Sequence, residues 1–128
     1  MNHESSIKSF TDLTTWQEGH KLVLQTYQLT KSFPSDEQFG LKSQMQRAAV
    51  SVTSNIAEGF SRDSYADKKH FYIMAHGSLT ELQNQSLIAR DVSYLTKDQF
   101  INFANQAVIV HKLLTGLIKS TKGRKHDS

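Results

Sequence analysis

Between Leu41 and Gly59 the chain reads LKSQMQRAAVSVTSNIAEG, and its apolar residues fall at helical spacing. Leu41, Met45, Ala48, Val52 and Ile56 recur every three or four positions, which aligns them along one side of an α-helix. A second stripe beside it is polar and holds Gln44, Arg47, Ser51, Asn55 and Glu58. Ala48, Ala49, Ser51, Ser54 and Ala57 are small, so a neighbouring backbone can come close. Gly59 is placed to end the helix, because glycine enters the left-handed conformation without a Cβ penalty. An ordered polar row on a long helix predicts a hydrogen-bonding seam with the next helix, ahead of any ligand or catalytic site.

Three further segments carry the same period. Leu13, Trp16, His20, Val23 and Tyr27 form a first stripe, widened by Leu24, with Thr11 or Asp12 available as cap. It must stop near Ser32, because Pro34 disfavours helical geometry at Phe33. Ser35-Asp-Glu-Gln38 reads as a capping box ahead of the Leu41 helix. After the link at 59–63, Ser64-Tyr-Ala-Asp67 opens a third helix through Phe71, Met74, Ser78, Leu82, Gln85, Ala89 and Val92. Thr96-Lys-Asp-Gln99 caps a fourth through Phe100, Phe103, Ala107, Val110, Leu114 and Leu117. Beyond Ile118 the pattern dissolves into a flexible basic tail, 119–128. Four amphipathic helices on short links predict an all-α, antiparallel up-down-up-down four-helix bundle, one domain over 1–128 with its core at about 10–118.

Composition narrows the chemistry. One proline and six glycines disfavour a fold of short strands and tight turns, and no apolar run approaches the ~20 residues of a membrane span. No cysteine means no disulfide framework and no thiol chemistry, and the polar start MNHESS lacks a signal-peptide core, so a cytoplasmic location is expected. The net charge of +3 is local: Lys119, Lys122, Arg124 and Lys125 against Asp127 account for all of it. Residues 1–118 hold 11 basic and 11 acidic side chains, so the body is neutral. Any nucleic-acid-binding residues are therefore expected in the tail, with Lys21, Lys31, Lys42, Lys68 and Lys69 as the alternative on the body.

Taken together, these residues resemble the 23S rRNA intervening-sequence proteins over about 10–118. The likeness rests on Phe10-x-Asp12-Leu13-x-x-Trp16, Phe33-Pro34, Phe39-Gly40-Leu41-x-x-Gln44 and Arg47-Ala48-Ala49-Val50-Ser51. Its most specific parts are Asn55-Ile56-Ala57-Glu58-Gly59 and Gly77-Ser78-Leu79-x-Glu81-Leu82. Two positions depart from the family pattern: proline is common where Thr53 stands, and glycine where Ser93 precedes Tyr94. The resemblance implies a four-helix protomer that assembles into a homopentamer. It implies no established activity, although a related branch, the accessory variability protein of diversity-generating retroelements, binds nucleic acid and a reverse transcriptase.

The residues argue against catalysis and cofactors. A di-iron bundle needs Glu-x-x-His pairs, and none occurs; His70 and His76 are six apart and fall on different faces. Ser51, Ser54 and Ser78 lack a nucleophile elbow or a glycine-rich phosphate loop. No enzyme, metal or cofactor is expected, and Trp16, Tyr27, Phe71, Phe100 and Phe103 read as core. In a hairpin closing near 60–62, Arg47 should be largely buried and bonded to Glu81 or Ser78, while Asn55 and Glu58 tie the helix end to the 59–63 link. Two functions remain: an oligomer with weak electrostatic binding of RNA or DNA, or an oligomeric interaction scaffold without nucleic-acid affinity.

Overall fold

The computed structural model describes residues 7–122. Four helices account for most of them: α1 Thr14–Thr30, α2 Leu41–Phe60, α3 Tyr65–Asp91 and α4 Lys97–Lys122. Each packs on its neighbours in the order α1–α2–α3–α4 and back to α1, so α1 and α3, like α2 and α4, lie across a diagonal. The expected antiparallel bundle is what forms. Its centre is filled by Leu22, Met45, Ile56, Leu79, Leu82, Phe103 and Leu114, all fully buried.

The faces of α2 and α4 are those the spacing predicts. Met45, Ala48, Val52 and Ile56 are buried on α2, as are Phe103, Ala107, Val110 and Leu114 on α4. The other two helices are rotated from the expected stripes. On α1 the buried residues are Thr15, Gly19, Leu22, Val23, Thr26 and Thr30, while Leu24 and Tyr27 face outward. Thr26 and Thr30 can be buried because their hydroxyls donate to the carbonyls of Leu22 and Thr26, both at 2.8 Å. On α3 the inner stripe is Tyr72, Ala75, Leu79, Leu82, Gln85, Ser86 and Ala89, and Met74 and Val92 are exposed. α3 carries apolar residues on both sides, so its period alone does not identify the inner one.

Helix ends also differ from expectation. Gly59 does not end α2, which continues through Phe60, and no glycine among the described residues has positive φ. Gly59 is needed for proximity: a Cβ there would meet Tyr72 Cε1 at 2.6 Å and Cδ1 at 2.8 Å. The Ser35–Gln38 capping box is replaced by a short 3-10 turn, Ser35–Glu37, and α2 starts at Leu41. Glu37 supplies the cap, accepting from the Leu41 backbone N–H at 2.9 Å and from the Tyr94 hydroxyl at 2.8 Å. Both bonds hold its carboxyl below the usual range, the backbone bond most. The caps at Ser64 and Thr96 form as read, with Thr96 and Gln99 bonded reciprocally at 2.9 and 3.1 Å. α4 runs four residues past Ile118, held by Thr121, which is buried and bonded to the Ile118 carbonyl at 2.6 Å.

Candidate functional site

The polar seam lies along the outer groove between α2 and α3. Antiparallel packing brings Arg47 against Glu81, and these two form an ion pair. One turn along, the Ser51 and Ser78 hydroxyls are 2.8 Å apart and half-buried. Gln44 accepts from the Arg47 guanidinium at 3.1 Å, and Gln85 donates to Glu81 at 3.2 Å. The partner of Arg47 was legible from the register, but its burial was not: the side chain is 52% exposed. Asn55 turns back to the Ser51 carbonyl at 2.9 Å rather than toward the 59–63 link. Glu58 does reach that link, through Arg62 at 2.8 Å. Every seam residue thus has a partner on α2, on α3 or in the connection between them.

The α2–α3 turn is closed by a residue the sequence reading assigned elsewhere. Lys68 donates to the carbonyls of Phe60 at 2.7 Å and Gly59 at 3.4 Å, two of the orphan acceptors that end α2. Burial lowers its pKa, and Asp63 opposes that only in part. Lys21 is likewise engaged, by Glu18 at 2.9 Å. The Lys21 pair is an exposed contact within α1, so of the five alternative body lysines it is Lys68 that is structural, a role visible only once the helix ends meet.

A different surface gathers unpaired positive charge. From Gln99 to Lys122, α4 contains no carboxylate, yet it carries His111, Lys112, Lys119 and Lys122. Lys119 and Lys122 belong to helix α4 rather than to a free tail; Arg124 and Lys125 lie outside the described residues. Together with Ile73 and His76 of α3 and Thr115 and Ile118 of α4, the two lysines line a groove of 220 Å³. The His76 and His111 rings meet across the helices at 4.9 Å, tilted by 47°. Among the described residues neither lysine has an ion-pair partner. Sequence reasoning found the lysines but missed the histidine pair, which the register of the α3–α4 hairpin would have placed.

Among the described residues no three histidine or carboxylate side chains converge as metal ligands, and no helix is long and apolar enough to cross a membrane. Two further clefts open on the outer surface: one of 200 Å³ between α3 and α4, around Leu87, Phe100 and Val108, and one of 430 Å³ between α1 and α4.

The profile of a family described as 23S rRNA-intervening sequence protein matches residues 11–116. Among solved structures, the chain is similar to a protein of unknown function from the S23 ribosomal protein family of Bacteroides thetaiotaomicron. The TM-score is 0.77 at 21% identity, with 83% of this chain and 99% of that one covered, which establishes the shared fold. No curated protein matches the chain.

Proposed function

This chain belongs to the 23S rRNA-intervening sequence protein family, and from that premise we propose that it is a non-enzymatic, self-assembling bundle that binds RNA or DNA weakly through charge. The observation that carries the reading is the cationic end of the α3/α4 groove, where Lys119 and Lys122 stand unpaired beside His76. A phosphate backbone is the polyanion such a surface suits, because each neutralised phosphate releases condensed counterions.

Self-assembly has its own support. Met74, Leu87 and Ile88 on α3 and Val92 at its C-cap are each 40–49% exposed. Gly77, among them, has nothing within 4 Å of where a Cβ would stand. A mid-helix glycine costs about 1 kcal/mol relative to alanine, and close approach of a second chain would explain it. A homopentamer is the assembly the resemblance favours. Absence of cysteine suits a reducing compartment, and we place the protein in the cytoplasm.

Gel-shift titration with a single-stranded RNA, at low and at high salt, tests the reading: affinity should fall steeply as salt rises. The neutral charge balance of residues 1–118 favours a second reading, an oligomeric interaction scaffold. No shift even at low salt, with a light-scattering mass well above 14.5 kDa, would select that scaffold.

A further inference from the structure

Phe39 is 91% exposed, a far larger exposure than that of any other large apolar side chain among the described residues. It stands in the link just before α2, where Glu37 caps the helix and Gly40 precedes its first residue. A scattered half-exposed leucine is ordinary, but an aromatic ring standing almost wholly in water is the kind of side chain that anchors interfaces.

The molecule also carries a cavity that suits such a ring. The α1/α4 cleft of 430 Å³ is lined by Leu29 and Phe103 and flanked by Gln25, Gln28 and Asn102. Asp98 and Gln99 complete its rim, and its open volume exceeds the roughly 150 Å³ that takes a benzene ring in an enclosed apolar cavity. Leu24, one turn before Gln28, is 57% exposed, and Ile101, one turn after Asp98, is 44% exposed. The apolar surface therefore continues past the cleft onto both helices. Gln25 Oε1 is buried without a hydrogen-bond partner among the described residues, so the wall holds an acceptor that an incoming N–H could satisfy.

Ring and cleft lie at the same end of the bundle. Tyr94, which leads into α4, bonds Glu37 beside Phe39 at 2.8 Å, and the cleft takes in Asp98, Gln99 and Asn102 from the first turns of α4. They lie on different sides, since α2 begins next to Phe39 and sits diagonally across from α4.

We infer that Phe39 of one protomer inserts into the α1/α4 cleft of a second copy of this chain. Resting on the self-assembly reading above, this assigns the contact: head-to-tail, with two different patches meeting. Knob and socket lie at one level on different sides, so the contact is heterologous: it passes from protomer to protomer and forms a ring where its rotation closes, rather than a twofold dimer. The inserted ring carries no charge, so the strength of the joint should change far less with salt than RNA binding does.

Light scattering on full-length protein provides the test. Wild type should give a multiple of the 14.5 kDa chain mass. Phe39→Asp, which removes the knob, and Asn102→Trp, which fills the socket, should each give 14.5 kDa. Both should keep wild-type helical circular dichroism, because Phe39 is exposed and Asn102 lines the cleft. An equimolar mixture of the two retains one intact joint and should yield species of twice the chain mass. Unchanged mass in both variants overturns the assignment, and so does a Phe39→Asp monomer that fails to pair with Asn102→Trp. A wild-type monomer at all micromolar concentrations overturns the self-assembly reading itself, a result distinct from either.

Discussion

Gly59 shows how one atom can decide the packing of a helix pair. Alanine is worth about 1 kcal/mol more than glycine within a helix, yet here its methyl would sit 2.6 Å from Tyr72 Cε1 and 3.1 Å from Phe71 Cβ. Overpacking of that kind costs about 1–3 kcal/mol. Gly59→Ala should therefore lower the denaturation midpoint, while Gly77→Ala, with open space around it within the protomer, should lower it only where a second chain packs against it. Tyr72 answers to the same crowding: burial pushes its phenol up to about 12. The folded state thus holds that proton more tightly than the unfolded chain, whose value is near 10.0. The corresponding stability is complete below pH 10 and fades as pH climbs toward 12. Alkaline melts should show that loss, and Tyr72→Phe should remove its share. Arg47 carries the opposite lesson. Antiparallel register placed it against Glu81, but a pair 52% and 40% exposed is worth at most about 1 kcal/mol. Arg47→Ala should then differ little in melting temperature from Arg90→Ala, whose Asp91 pair is also exposed.

The end of α3 is a helix stop in which serine occupies a glycine position. Tyr94 N–H donates to the Ala89 carbonyl at 2.8 Å and Ser93 N–H to that of Arg90 at 3.0 Å, the paired bonds of a Schellman motif. Ser93 sits between them with φ of 67°, in the left-handed region. A side chain there costs about 1–2 kcal/mol, offset in part by the greater entropy a glycine loses on folding, about 0.5–1 kcal/mol. Ser93→Gly should stabilise the fold by roughly 0.5–1 kcal/mol, read as a rise in denaturant midpoint at unchanged slope. A lower midpoint would mean that the serine side chain contributes something the backbone argument omits. At this scale the sequence was legible where one face of a helix is apolar and the other polar. α2 and α4 meet that condition. α1 hides Thr26 and Thr30 through bonds to its own carbonyls and turns Leu24 and Tyr27 outward. α3 buries the expected Leu82, Gln85 and Ala89 but, in its first half, Tyr72, Ala75 and Leu79 in place of Phe71, Met74 and Ser78, so the two periods were right only in part. Helix ends were less legible still, because Glu37, rather than Ser35 and Gln38, caps the start of α2, and Lys68 caps its end from the next helix.

For the molecule as a whole, the positive charge divides between a helix and the residues beyond it. Reading 119–128 as one free tail suggests cutting after Ile118, but that cut removes Thr121, which is 4% exposed on the last turn of α4. The cleaner cut falls after Lys122. It deletes Arg124, Lys125 and Asp127, a net of one positive charge, and leaves Lys119 and Lys122 on the folded surface. If binding to RNA follows net charge, about two-thirds of the local attraction stays with the bundle. In the assembly proposed above, the same division would recur on every protomer, and linked contacts would strengthen one another through effective concentration. Each phosphate contact contributes about 0.7 to the salt slope on a single strand. Truncation after Lys122 should therefore keep most of that slope, whereas Lys119→Ala with Lys122→Ala in the full-length chain should remove most of it. Gel shifts at several salt concentrations separate the two variants. Complete loss of binding on cutting after Lys122, with the double variant unaffected, would move the contact off the α3/α4 groove and onto residues 123–128.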